Sequence, residues 1–186
     1  MPSLTFRLKK RADASAQLTL IREDGSHTTG PIGSADGYFP VHDLTHYVIE
    51  QRLGLSEGFL GLVACGWEIK DFEVKGTAKL LSAETMFAEN AAGELSRQIL
   101  MRQPSSFEDF LWVVDTNVQR HSPGYKNPGF GERSLTEIRE RIVTEWRRWR
   151  ELPLGDTLEL TFTCPRRATL PAPTPEQRRH GSLVTR

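Results

Sequence analysis

The sequence predicts an α+β fold in which a small antiparallel sheet packs against about four to five helices. Apolar and polar residues alternate with a period of two near both ends of the chain, at Leu4–Leu8 and Leu158–Phe162, which indicates half-buried strands. The long middle of the chain instead spaces its apolar residues three and four apart, as amphipathic helices do. Strands and helices thus come in blocks, which is typical of α+β and not of alternating α/β architecture.

An N-terminal hairpin and a C-terminal strand make up the predicted sheet. Leu18 and Leu20 repeat the alternation of the first strand after a small polar run, 12–15, that is typical of a turn. Residues 26–37 are rich in glycine, so we expect mostly loop there with at most one short strand. We expect 158–162 to pair with the hairpin, because two strands alone are marginally stable and an open edge needs a partner.

Four helices are indicated by residues that suit their ends. Pro40 suits the first turn of a helix over 41–53, and Gly54 suits its end. Serines precede three further amphipathic stretches, as N-caps do. These stretches run from Ser82 to about Gln103, from Ser105 or Ser106 to Val118, and from Ser134 to about Glu151. The apolar segment 58–66 contains three glycines, and its periodicity does not separate a helix from a strand.

The composition predicts one globular domain, 1–164, followed by a disordered tail rich in proline and arginine, 165–186. The 24 basic and 24 acidic residues give a net charge of zero, which argues against a nucleic-acid partner. Cys65 and Cys164 are far apart and form neither a redox motif nor a zinc ribbon. The chain shows no secretory signal and no run of about 20 apolar residues, so we expect a cytoplasmic protein with no membrane segment.

The clearest chemical pattern lies on the first predicted helix. His42, His46 and Glu50 follow one another at four-residue intervals, and Asp43 lies beside the first histidine. Residues four apart share one side of a helix, so we expect the two imidazoles and the carboxylate to reach one ion. The sequence therefore predicts a divalent metal site, for example for zinc, with His42, His46 and Glu50 as ligands. Asp43 would serve as the catalytic base or would orient a ligand.

Two resemblances accompany this pattern. The five residues His-Asp-x-x-His, from His42 to His46, resemble the His-Glu-x-x-His helix of zinc metallopeptidases, with Asp43 in the place of the general-base glutamate. This resemblance implies zinc and hydrolytic chemistry. The wider stretch, His42–Glu50 followed by Gly58–Trp67, resembles a group of short bacterial proteins of unassigned function, and it implies no activity.

A purely structural interpretation of the same residues stays open. Five histidines in a chain of this length give a pair at i,i+4 by chance roughly one time in eight. His42 would then lie at the edge of the core, and His46 with Glu50 would form an ordinary surface pair.

Two functions are therefore compatible with the sequence. One is a metal-dependent hydrolase-like enzyme that uses the helix face of His42, His46 and Glu50. The other is a non-enzymatic binding or regulatory module for an unknown small molecule or protein. Its docking surface would be the polar helix face and the loop around Tyr125 and Phe130, with the tail as a tether. The sequence leans slightly to the binding module, because the enzyme depends on one short motif.

Overall fold

The computed structural model of the protein describes residues 1–74 and 76–180. Among these residues the strands are β1 (Ser3–Lys10), β2 (Ser15–Arg22), β3 (His27–Ser34) and β4 (Thr157–Thr163). The helices are α1 (Tyr38–Leu53), α2 (Phe59–Ala64), α3 (Ala83–Met101), α4 (Phe107–His121), α5 (Glu132–Glu151) and α6 (Pro175–His180), and two 3-10 turns cover Ile69–Glu73 and Thr77–Lys79. No helix in these ranges has both the length and the apolar character that crossing a bilayer requires.

The four strands form one antiparallel sheet in the order β3-β2-β1-β4, which confirms the α+β class. The C-terminal strand joins the N-terminal hairpin, as predicted, and lies beside β1, with Leu8 opposite Leu158 and Leu4 opposite Phe162. These side chains are buried under the helices, whereas the intervening residues of β4 are exposed. Period-two alternation places the apolar set of each strand on one face, so the core lies between that face and the helices.

Strand β3 covers a segment for which the sequence predicted mostly loop. It pairs antiparallel with the free edge of β2. Among its residues only Thr28 and Gly30 are fully buried, so it lacks the apolar alternation that would have identified it. A side chain at Gly30 would meet Ile69 at 3.2 Å. The glycine therefore lets a 3-10 turn lie close against the sheet edge.

Helix α1 is buried on nearly every side. From Val41 to Glu50 every residue except His42 is buried. The helix contacts α2, α3, α5 and β3, and Ser96 Oγ donates a hydrogen bond of 3.1 Å to Thr45 Oγ1 across the α1–α3 contact. The polar residues from Asp43 to Glu50 are therefore largely shielded from bulk solvent, whereas the sequence suggested an exposed docking face.

The apolar, glycine-rich segment 58–66 forms helix α2 and not a strand. It is helical from Phe59 to Ala64. A side chain at Gly58 would overlap the carboxylate of Glu50, and one at Gly61 would overlap the backbone carbonyl of Ser56. Both glycines are therefore needed for the close approach that brings α2 against the end of α1.

The C-terminal segment 165–180, for which the composition predicted disorder, makes several contacts with the body. Arg178 holds the fully buried Asp71 through contacts of 2.7 Å from Nη2 to Oδ2 and 2.9 Å from Nε to Oδ1. Leu170 and Ala172 pack against the core. Further polar contacts join Arg166 to Glu84 and the backbone N–H of Thr169 to Glu57. Residues 181–186 of the predicted tail lie outside the described residues.

The loop between α4 and α5 is anchored by its two aromatic residues. Phe130 is 5% exposed and contacts the rings of Phe87 and Phe110. Tyr125 stacks on Phe87 with ring centroids 6.1 Å apart. These aromatic side chains pack inward, so the loop does not present them as an exposed docking surface.

Candidate metal site

A cavity of about 480 Å³ opens beside α1. Most of its lining is apolar and comes from separate parts of the chain. These apolar residues are Leu18, Pro31, Ile32, Phe39, Phe59, Ile69, Phe72, Ala78, Leu81 and Met86. One wall is polar and contains His42, Asp43 and His46 of α1 with Glu89 of α3. An apolar cavity of this size with a few converging polar groups is typical of a small-molecule site.

The two histidines lie side by side on the polar wall. Their ring centroids are 4.7 Å apart, with the rings arranged edge to face. The side chain of His42 is 12% exposed and that of His46 is 3% exposed. Tyr38 contacts the ring of His42, and Phe59 contacts the ring of His46. This packing fixes both imidazoles with their Nε2 atoms toward α3.

Glu89 of α3 is the carboxylate that both histidines share. Its Oε2 lies 3.1 Å from His46 Nε2, and its Oε1 lies 3.5 Å from His42 Nε2. His42, His46 and Glu89 each offer one ligand atom within 4.8 Å of the others. The Glu89 side chain is 59% exposed, so solvent reaches the site from this direction.

Sequence reasoning missed Glu89 because it lies 43 residues after His46, on a different helix. The spacing of residues within one helix does not indicate which residue of another helix lies beside them. The available signal was the set of small residues near it, Ala88, Ala91 and Ala92, all of which are buried. Small residues at these positions allow two helix backbones to approach closely.

Glu50 lies behind His46 and not among the other ligand atoms. It is fully buried, with Oε1 3.0 Å from His46 Nδ1. Its Oε2 accepts hydrogen bonds from the backbone N–H groups of Leu60 and Gly61, at 2.9 and 3.1 Å. Each four-residue step on an α-helix turns about 40° beyond a full revolution, so Glu50 is rotated by about 80° from His42. The structure thus groups the two predicted histidines with Glu89, and it also buries the His46–Glu50 pair away from the surface.

Asp43 lies in the cavity wall beside His42 and is 8% exposed. Its Oδ1 is 3.9 Å from His42 Nδ1, which is too far for a direct hydrogen bond. Its buried Oδ2 accepts no hydrogen bond from the part of the chain that the structure describes. A buried carboxylate oxygen without a donor is unfavourable. This oxygen therefore points to a water molecule or a ligand as its partner.

The carboxylates around the histidines shift the pKa values of the site. Burial lowers the pKa of His46, but its hydrogen bonds to Glu50 and Glu89 outweigh burial and raise the pKa to about 10. Burial also lowers the pKa of His42, but the carboxylates of Asp43 and Glu89 outweigh burial and raise this pKa. Partial desolvation opposes ionisation of the half-exposed Glu89, yet the two histidines lower its pKa. Burial raises the pKa of Glu50 in spite of His46 and the two backbone donors. Positive charge is thus favoured between these carboxylates, as a proton or as a bound cation.

Ligand bonds of about 2.1 Å at tetrahedral angles place neighbouring ligand atoms about 3.4 Å apart. The three candidate ligand atoms lie within 4.8 Å of one another, so a modest contraction around an ion would bring them to this spacing. Two imidazoles and one carboxylate are also the ligand set of catalytic zinc sites that keep one position for water. Glu50 would then accept the Nδ1–H of His46 and fix its tautomer.

Comparisons of the chain with protein-family models, with curated proteins and with solved structures give no match.

Proposed function

We propose that the protein is a metal-dependent hydrolase-like enzyme that binds one divalent ion, such as zinc, through His42, His46 and Glu89. The observation that supports this proposal most strongly is the convergence of three ligand atoms within 4.8 Å at the polar wall of a 480 Å³ cavity. The ligand set replaces Glu50 of the sequence prediction with Glu89. Glu50 takes the role of positioning His46.

Asp43 supplies the proton acceptor in this proposal. A zinc ion bound by three protein ligands lowers the pKa of a water molecule in its fourth position. The buried Oδ2 of Asp43 has no donor among the described residues, so it is available to accept a proton from a water molecule held in the cavity. The position of Asp43 directly after the first histidine is similar to that of the general-base residue in the His-Glu-x-x-His helix.

Metal titration of the untagged protein tests the ligand set. We expect one zinc ion per chain in the wild type and at least tenfold weaker binding in His42→Gln and Glu89→Gln, because each substitution removes one ligand. His121→Gln and Glu94→Gln are matched controls, since neither residue belongs to the proposed ligand set, and both should bind zinc as the wild type does. Equal zinc affinity in Glu89→Gln and Glu94→Gln would contradict the proposal.

Hydrolysis by the zinc-loaded protein tests the role of Asp43. A panel of chromogenic esters, amides and phosphate esters would be compared in the wild type, Asp43→Asn and the exposed-residue control Asp36→Asn. We expect Asp43→Asn to keep its zinc and lose activity by about 10²- to 10⁴-fold, the usual contribution of a general base. Full activity in Asp43→Asn would remove this residue from the mechanism.

A non-enzymatic binding module is the second candidate, and one observation favours it. His46 already donates toward carboxylates on both sides, Glu50 and Glu89, in contacts of 3.0 and 3.1 Å. Both ring nitrogens of His46 thus have partners in the absence of a metal, and the cavity would bind its ligand without an ion. Purified protein that takes up no zinc at neutral pH would support this alternative over the enzyme.

A further inference from the structure

The residues that line the cavity indicate which class of compound the proposed enzyme would hydrolyse. Its apolar lining comes from the edge strand β3, from α2, from both 3-10 turns and from α3, so a ligand there contacts apolar side chains on several sides. Ile32, Phe59, Ile69, Phe72, Leu81 and Met86 all line it. A ligand that fills this space gains stability in proportion to the apolar surface that it buries.

The charged residues of the cavity are mainly acidic. Asp43, Glu73 and Glu89 line it, and the buried Glu50 lies behind His46. The lining residues that the structure describes include no lysine or arginine. Phosphate and carboxylate groups are usually recognised by arginine or lysine. Beyond the two histidines and the proposed ion, an anionic group of a ligand would therefore meet Asp43 and Glu73 with no cationic side chain among the described lining residues to balance it.

We infer that the substrate class is an uncharged acyl compound, an ester or an amide, whose apolar chain occupies the cavity while its carbonyl group faces His42, His46 and Glu89. This inference rests on the proposed hydrolytic function and makes it more specific. In the reaction, the oxygen of water forms a bond to the acyl carbon and the bond from that carbon to the ester oxygen or amide nitrogen breaks. One proton of the water passes to Asp43 and then to the leaving oxygen or nitrogen, which gives a carboxylic acid and an alcohol or amine.

The test measures the binding of ligands in the cavity and does not require hydrolysis. Alkyl hydroxamates with two to ten carbons are uncharged near neutral pH and bind zinc through their oxygens, so they place a chain of variable length in the cavity. Calorimetric titration of the zinc-loaded full chain should show affinity rising about fourfold for each added methylene until the cavity is filled. A second series with the same head and a terminal carboxylate should bind more weakly at every length.

A pair of neighbouring variants provides the control. Ala78 lines the cavity and is exposed, so Ala78→Trp should block the chain without disturbing the core. Lys79 is exposed in the same 3-10 turn and does not line the cavity. We expect the dependence on chain length to disappear in Ala78→Trp and to persist in Lys79→Trp, with the zinc content of both equal to that of the wild type.

Different outcomes would contradict the metal site and the substrate class. Protein that binds no zinc would overturn the metal site, and the substrate class would fall with it. Zinc-loaded protein whose affinity is independent of chain length, or that prefers the carboxylate-ended series, would overturn the substrate class and leave the metal site in place.

Discussion

His46 is the residue on which the polar wall depends, because it has a carboxylate on each side and almost no contact with water. Its two ring nitrogens face Glu50 and Glu89, and the imidazolium form satisfies both. We predict that His46 in the metal-free protein keeps its proton above pH 8, with a pKa near 10. NMR titration of the imidazole nitrogens would measure this value directly, and a pKa at or below the ordinary 6.5 would contradict the arrangement.

The same pKa shift gives a pH dependence of stability with a definite sign. Because the folded-state pKa of His46 lies above 6.5, its ion pairs contribute stability that is complete below about pH 6.5 and is lost as the pH rises toward about 10. We expect the free energy of unfolding of the metal-free wild type to fall across this range. His46→Gln should remove that part of the slope, whereas His121→Gln should keep it. Identical slopes in all three proteins would exclude His46 as the source.

A substitution at Gly58 tests whether the close approach of α2 to Glu50 stabilises the protein. A methyl group at this position would overlap the buried carboxylate, and overpacking of this kind costs about 1–3 kcal/mol. We therefore predict that Gly58→Ala lowers the free energy of unfolding by that amount and shifts the imidazole signals of His46. Gly131→Ala is the control, because a side chain there meets nothing within 4 Å and the backbone has an ordinary φ of −126°. Because Gly131 is the N-cap of α5, where alanine is less favourable than glycine, this control should lose no more than about 1 kcal/mol and leave the His46 signals unshifted.

At the scale of the elements, the C-terminal segment holds a wall of the cavity. Arg178 binds Asp71 in the 3-10 turn that also carries Ile69 and Phe72, two residues that line the cavity. Removing one partner of a buried ion pair leaves the other charge desolvated and costs about 3 kcal/mol or more. We predict that Arg178→Ala destabilises the protein by roughly this amount and raises amide hydrogen exchange in 69–73.

The exposed neighbour Arg179 gives the matched control for this prediction. Arg179→Ala removes an equal charge and should leave exchange in 69–73 unchanged. Equal exchange in the two variants would mean that the tail does not support the cavity wall.

Prediction from the sequence succeeded where the pattern was local and failed where it depended on a neighbour. The alternation at 158–162 was enough to identify β4, and the need to cover an open edge predicted that it joins the N-terminal hairpin. Strand β3 could not be found in this way, because it is held by the edge of β2 and has small residues where a strand usually has apolar ones. Residues 165–180 were predicted as disordered because composition does not show that Arg178 has a buried partner.

The candidate site was likewise predictable only for residues that lie on one helix. The i,i+4 spacing identified His42 and His46, which do lie together on one wall. It also suggested Glu50, but 3.6 residues per turn rotate that side chain toward α2. Glu89 required knowledge of which helix packs against α1, and the spacing within α1 contains no such information.

On the scale of the whole molecule, an ion at the site would join α1 to α3, which together form much of the helical layer. A ligand that binds only the folded state stabilises it by about 2.7 kcal/mol at a free concentration of 100 times its Kd. We predict a rise of this size in the free energy of unfolding of the wild type with zinc, measured by chemical denaturation. Glu89→Gln should show little of it and Glu94→Gln all of it, whereas a zinc effect of equal size in both variants would place the ion elsewhere.

Zinc anomalous diffraction from crystals grown with the metal tests the central claim most directly, because it locates the ion without reference to activity. We predict one strong anomalous peak about 2.1 Å from the Nε2 atoms of His42 and His46 and from a carboxylate oxygen of Glu89, with Glu50 still bonded to His46 Nδ1. A zinc-containing crystal with no peak at this position, or with Glu89 turned away from both histidines, would contradict the account.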